Sequence, residues 1–162
     1  MPKVFVGLGS NINAENNLRF GIEALGAEFG VLMLSDVYQS ASLGFSGDDF
    51  LNLVAGFETD RGPEDIHAVI ETIHANAGRL RGESRFAPRT LDIDLLLYGD
   101  EIIDAPPIRV PREDTLEYSF VLGPLADIAP EYHHPVTGKT LAEHWAEYDK
   151  TGHPISPADV KL

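Results

Sequence analysis

The stretch TLDIDLLLYG, residues 90–99, decides how the rest of the chain is read. Its aliphatic residues, with a polar segment before them and Gly99-Asp100 after, predict a strand. Side chains alternate along a strand, so Asp92 and Asp94 share one face, about 7 Å apart at ~3.3 Å rise per residue. The same alternation sends Leu91, Ile93, Leu95 and Leu97 to the opposite face, into a core. Two carboxylates this close repel, and burial raises their pKa values unless a cation stands between them. Alone, Asp-x-Asp is a weak pattern. It suits a divalent ion, and equally a water-facing strand whose aspartates pair with nearby arginines.

Working outward, residues 3–9 alternate and read as a first strand. Asn11 or Asn13 caps a helix marked by Leu18, Ile22, Leu25 and Phe29, and Gly30 stops it. Between them GLGSN (7–11) reads as a tight turn. It has neither the third glycine of a dinucleotide fingerprint nor the Lys-Ser/Thr of a P-loop. Residues 31–40 and 50–59 read as second and third strands. The loop between them, ASLGFSGDDF (41–50), is long enough to suggest function. Pro63, Glu64 and Asp65 start a second helix, where proline and acids suit the first turn. Its apolar stripe is Ile66, Val69, Ile70 and Ile73, and it ends near Gly78. Residues 79–89 then read as an arginine-rich loop. Residues 101–111 read as a short strand with proline breaks, 113–129 as helical turns punctuated by Pro124 and Pro130, and 140–148 as a last helix. The order strand–helix–strand–strand–helix–strand predicts an α+β, ferredoxin-like sandwich. Its sheet is mostly antiparallel, with helices packed on one face and the other face left to loops or ligand. Residues 1–162 are expected to form a single domain.

The chain carries 26 acidic and 12 basic residues, a net charge of −14. That argues against nucleic acid and against an anionic membrane as partners. No cysteine is present, which excludes disulfides and thiolate metal sites. No apolar run reaches the ~18 residues of a membrane span, and the N-terminus lacks the form of a signal peptide. The expectation is a cytoplasmic monomer acting on small molecules.

Against that acidic average, Arg79, Arg81, Arg85 and Arg89 cluster just ahead of the aspartates. Guanidinium forks match phosphate oxygens, and a solvated loop pairing with the many acids is the blander reading. All-oxygen ligands select a hard ion, Mg²⁺, which fills its shell with water and phosphates. Together these point to nucleoside triphosphate chemistry, which needs positioning and charge neutralisation rather than a nucleophilic side chain. Phe45, Phe50, Phe86 and Phe120 are candidate rings for stacking a flat heterocycle, although phenylalanine is more often core. Asn52, polar in an apolar strand, must pair when buried, with sheet backbone or with the edge of such a heterocycle. His133 and His134 adjoin a proline and diverge, so they do not suggest a metal site. His74, one position from the apolar stripe, reads as a partly buried helix residue.

These residues resemble a known family. RFAPRTLDIDLLLYG (85–99) is similar to the signature of the 6-hydroxymethyl-7,8-dihydropterin pyrophosphokinases. The likeness extends over roughly 1–140, through GLGSN, YQSASLGFSGDDFLNLV, GRLR, SFVLGPLADIAPE and HPVTGKTL. It implies transfer of pyrophosphate from ATP to the hydroxymethyl group of 6-hydroxymethyl-7,8-dihydropterin, releasing AMP, in folate biosynthesis. It implies two Mg²⁺ ions on Asp92 and Asp94, and phosphates held by Arg89. Arg79 and Arg81 would sit on a mobile loop closing over them, and Leu95 and Arg112 would be at the ATP site. The pterin would lie among Leu43, Gly44, Phe50, Asn52, Phe86 and Phe120. The chain departs from the family's usual residues at His74 (acidic), Gly82 (Lys or Arg), Phe86 (Trp), Arg112-Glu113 (His-Pro) and Tyr118 (Arg). Arg112 would offset the phosphate-facing arginine absent at Tyr118. The departures keep open two alternatives: a paralogue acting on another pterin, or a pterin-binding module with weakened ATP chemistry.

Overall fold

The computed structural model describes residues 1–41, 49–81, 91–160 and 162, with backbone alone for 79–81. The strand read first in the sequence is β5 (Asp92–Tyr98), at one edge of the main sheet. It pairs antiparallel with β1 (Lys3–Ser10), which pairs antiparallel with β4 (Phe50–Glu58). Beyond β4 lie β2 (Met33–Leu34) and β3 (Tyr38–Ser40), both antiparallel to it. Helix α1 (Ala14–Phe29) follows β1, and α2 (Pro63–Arg81) joins β4 to β5. The order β5-β1-β4-β3 is the expected antiparallel α+β arrangement.

Alternation along β1 sorts the core into two layers. Val4, Val6 and Leu8 face one side, where they meet Leu53, Ala55 and Ile93 of the sheet and Leu91 just ahead of β5. Leu18 and Leu25 of α1 and Ile66, Ile70 and Ile73 of α2 close that layer, as their helical spacing predicts. Truncating a fully buried residue such as Leu25 or Ile66 to alanine costs about 2–5 kcal/mol. Phe5, Val54, Leu96 and Leu97 face the other side. They pack on Val121, Leu122 and Leu125 of α4 (Ser119–Ile128) and Leu141 of α5 (Leu141–Glu147). The structure thus adds two helices to the second face. They cover part of it and leave the end of β1 that carries Gly7 and Gly9.

Several local expectations are corrected. Leu97 does not join Leu91, Ile93 and Leu95. The ladder to β1 shifts register between Phe5 and Val6, pairing Leu95 with Val6 and Leu97 with Phe5, so Leu96 and Leu97 both enter the second layer. GLGSN is no turn, since Gly7 and Gly9 lie inside β1. The second strand is broken after Leu34. There Ser35 pairs with Val54 through its own N–H and accepts the Val54 N–H on its hydroxyl (2.9 Å), so a side chain replaces the ladder acceptor. Helix α2 runs through Gly78 to Arg81, because arginine and leucine are good helix formers and one glycine costs only about 1 kcal/mol. Arg79 and Arg81 therefore belong to its last turn, not to a loop. Pro124 lies inside α4, which its buried neighbours hold helical. Residues 101–111 make two strands, β6 (Ile103–Ala105) and β7 (Ile108–Val110), turning at Pro106-Pro107. Between β7 and α4, α3 (Asp114–Glu117) is a single turn. Near the C-terminus β8 (Ser156–Pro157), which no periodicity announced, pairs with β3.

Candidate active site

Gly7 and Gly9 form the floor of a cleft of about 200 Å³ on the second face of the sheet. Register places Gly9 between Asn52 of β4 and Asp92 of β5, and Gly7 between Val54 and Asp94. All these positions share one face, so the glycines open a trough with an amide on one bank and two carboxylates on the other. A Cβ at Gly9 would stand 3.0 Å from Asn52 Oδ1, tighter than ordinary contact. One at Gly7 would meet the Leu96 side chain first, at an ordinary 3.5 Å. Phe50, at the start of β4, and Phe120, in the first turn of α4, add aromatic walls. The volume is below the roughly 300–1,000 Å³ of drug-sized pockets.

Asn52 is 5% exposed, and its Nδ2 donates to Ser40 Oγ at 2.8 Å. The partner of its Nδ2 is thus a serine on β3, which helps to fix the amide plane. Ser40 was missed in the sequence because nothing local distinguishes a serine that faces an asparagine twelve positions later. Phe120 stacks on Tyr118 (centroids 5.1 Å, planes 15° apart) and meets His153 edge-on at 5.6 Å.

Arg112 is anchored to β5 by its N–H, which donates to Leu96 O at 2.9 Å. Its Nη2 lies 3.6 Å from Asp94 Oδ1, and its Nε donates to Asp114 Oδ2 at 3.1 Å. Burial works against its charge, but Asp94, Asp114 and Asp92 outweigh it and hold the guanidinium above its ordinary value. Asp114 is a second cleft residue that the motif left out. Arg112 itself borders a neighbouring cleft with Pro106, Pro107, Arg109 and Glu113.

The structure thus brings together Phe50, Asn52, Asp92, Asp94 and Phe120 around one cleft, with Arg112 at its margin. Leu95 is not brought in. Its side chain packs with the helical layer, because its neighbours Asp94 and Leu96 take the cleft face. The side chains of Arg79 and Arg81, together with Leu43, Gly44, Phe45, Arg85, Phe86 and Arg89, lie outside what is described. Among the described residues no group of three His, Cys, Asp or Glu side chains could hold a metal. The Asp92–Asp94 pair is what this cleft offers to an ion.

Residues 5–130 match the family described as 7,8-dihydro-6-hydroxymethylpterin-pyrophosphokinase. The chain belongs to that family. It is similar to the 2-amino-4-hydroxy-6-hydroxymethyldihydropteridine pyrophosphokinase of Pseudomonas aeruginosa, 35% identical over 147 residues (88% of this chain, 90% of that one). The enzyme of the same name from Aquifex aeolicus is 33% identical over 145 residues, with the same coverage. Among solved structures, the wild-type HPPK-DHPS chain of Plasmodium falciparum, solved with pteroate, superposes with a TM-score of 0.72 at 15% identity. The match covers 91% of this chain but only 42% of that longer one, and it carries the fold alone. As a pyrophosphokinase the chain is an ATP-dependent diphosphokinase. No helix among the described residues is long and apolar enough to cross a membrane.

Two departures from the pyrophosphokinase pattern now have structural roles. His74 accepts the Ile93 N–H on Nε2 at 2.9 Å and sets Nδ1 3.5 Å from Glu71 Oε1. Tyr118 supports Phe120 instead of offering a cation.

Proposed function

We propose that this chain transfers a pyrophosphoryl group from ATP to the hydroxymethyl group of 6-hydroxymethyl-7,8-dihydropterin, as a step of folate synthesis. The observation that carries the reading is the glycine trough, with Asn52 on one bank and Asp92 and Asp94 on the other. A heterocycle lying over Gly7 and Gly9 meets the Asn52 amide at one edge and turns its opposite edge toward the carboxylates. Phe50 and Phe120 supply apolar surface and ring contacts for it. Asn52 enters this role already oriented by Ser40, so little ordering remains to be done on binding.

In the step itself, the pterin hydroxymethyl oxygen attacks the β-phosphorus of ATP. The bond from that phosphorus to the oxygen shared with the α-phosphorus breaks, and that oxygen leaves on AMP. The hydroxyl proton passes to solvent. Asp92 and Asp94 fit two Mg²⁺ ions. Both are partly exposed oxygen donors facing the cleft, and Asp94 already holds a cationic group in Arg112. Bound there, magnesium would neutralise and orient the phosphates. We assign phosphate contacts to Arg79, Arg81 and Arg89, as the resemblance of GRLR and RFAPRTLDIDLLLYG to the family implies.

An assay with protein, ATP, Mg²⁺ and 6-hydroxymethyl-7,8-dihydropterin tests this, with nucleotide products resolved. AMP in equal amount to pterin consumed is expected, and ADP points to another kinase reaction. Neither product leaves a pterin-binding module. The Tyr118–Phe120 stack, where the family usually has arginine, favours a second reading, a paralogue for a differently substituted pterin. AMP formed only with such a pterin would select it.

A further inference from the structure

We infer that Arg112 is a resident counter-ion of the carboxylate cleft, which a divalent cation must displace from Asp94 before it can occupy the pair. This rests on the metal role proposed for Asp92 and Asp94. Three observations carry it. The Arg112 main chain is pinned to β5 by its bond to Leu96 O, two residues from Asp94, so the side chain is presented to the pair by the strand itself. Its fork then spans two acids at once, Asp94 through Nη2 and Asp114 through Nε. Asp114 in turn lines both the glycine trough and the neighbouring cleft of about 300 Å³, which Arg112 and Arg109 border.

Both oxygens of Asp94 are not available to an ion while a guanidinium leans on one of them. Two like charges cannot share that carboxylate without loss, so cation entry and the Arg112–Asp94 contact compete. Asp114 gives the displaced side chain a place to stay. Held there by Nε, the guanidinium swings its free end toward the cleft of Arg109, where it meets anionic oxygens. Releasing Asp94 from Arg112 and presenting a cation to phosphate are then one movement. Metal and polyphosphate each favour the arrangement the other needs, a coupling that is reciprocal by linkage.

Competition by contact differs from repulsion at a distance in what lysine does. Lysine keeps the charge but lacks the planar fork that reaches both acids. The test is Mn²⁺ binding to the folded protein without nucleotide, read from the free-ion resonance signal. R112Q is expected to bind about three- to fivefold tighter than wild type, the equilibrium worth of one partly exposed ion pair. R112K is expected to move in the same direction. In the wild-type protein the Arg112 Nε–H resonance is expected to shift over the same range of added Mg²⁺. Equal affinity of R112Q and wild type, R112K unchanged while R112Q tightens, or an unmoved Nε–H resonance would each overturn the inference. D92N separates this from the reading beneath it. If D92N loses Mn²⁺ binding while R112Q matches wild type, the pair is a metal site and the counter-ion idea alone fails. If D92N binds as wild type does, the metal role fails and takes this inference with it.

Discussion

The Nε2 of His74 on α2 accepts a hydrogen bond from the main-chain N–H of Ile93, 2.9 Å away, between the two aspartates of the motif. Strand β5 is an edge of the sheet, and among the described residues its outward N–H groups find no ladder partner. A helix side chain fills that need and ties α2 to the segment that positions Asp92 and Asp94. Removing it leaves a covered donor unsatisfied. His74→Ala is expected to lower unfolding free energy by about 1–3 kcal/mol and to reduce turnover. His74→Gln, which keeps an acceptor, is expected to recover part of both. Urea unfolding with parallel assays decides it. A variant as stable as wild type would show that the bond only accompanies the fold.

The carboxylate pair behaves in the opposite way. Asp92→Ala and Asp94→Ala are expected to leave the fold in place, because each removes one member of a repelling pair. In Asp94→Ala, Arg112 keeps Asp114, so the change in stability stays within about 1 kcal/mol. Turnover is expected to fall roughly a hundredfold or more, the scale of losing a charge-stabilising group. Thermal melts beside saturating-substrate assays measure both. Near wild-type activity in both variants would remove the aspartates from the reaction.

The floor of the trough gives a paired test. A methyl at Gly9 presses on Asn52 Oδ1 at 3.0 Å, whereas the nearest contact of one at Gly7 is the Leu96 side chain at 3.5 Å. Gly9→Ala is expected to weaken pterin binding by about 2- to 12-fold, the worth of one disturbed hydrogen bond. Gly7→Ala is expected to weaken it less. Fluorescence titration of pterin without nucleotide compares them, and the reverse order would place the heterocycle elsewhere.

Away from the site, His134 ties stability to pH. Its Nδ1 accepts the N–H groups of Val136 and Thr137 at 3.2 and 3.4 Å. Burial, and then the charge of His144, lower its pKa below the ordinary 6.5. The unfolded chain therefore binds a proton more readily in that window, and stability rises with pH. The contribution is fully present above about 6.5 and is lost as pH falls through the lower folded value. Unfolding free energy measured from pH 7.5 to 5 is expected to decline more steeply in wild type than in His134→Asn. Parallel curves would place the dependence in other groups.

Much of this was legible from residue order. The period-2 runs at 3–9, 50–59 and 90–99 and the helical stripes of α1 and α2 define the sandwich, because each buries one face and its apolar spacing records which. The shared face of Asp92 and Asp94, and the need of Asn52 for a partner, follow from the same local rules. What lay beyond them depends on contacts between distant segments. No local signal says that Gly7 and Gly9 face Asp94, Asp92 and Asn52, since register is set by pairing with two other strands. The register shift that turns Leu97 away from Leu95 arises only against β1. Ser40 as the partner of Asn52, His74 as the partner of Ile93, and Arg112 between Asp94 and Asp114 are likewise choices of the fold. Sequence periodicity determines which face a side chain takes, because that is geometry within one element. Tertiary structure decides what it meets there, because hydrogen bonds and charge pairs are made only once the elements are packed.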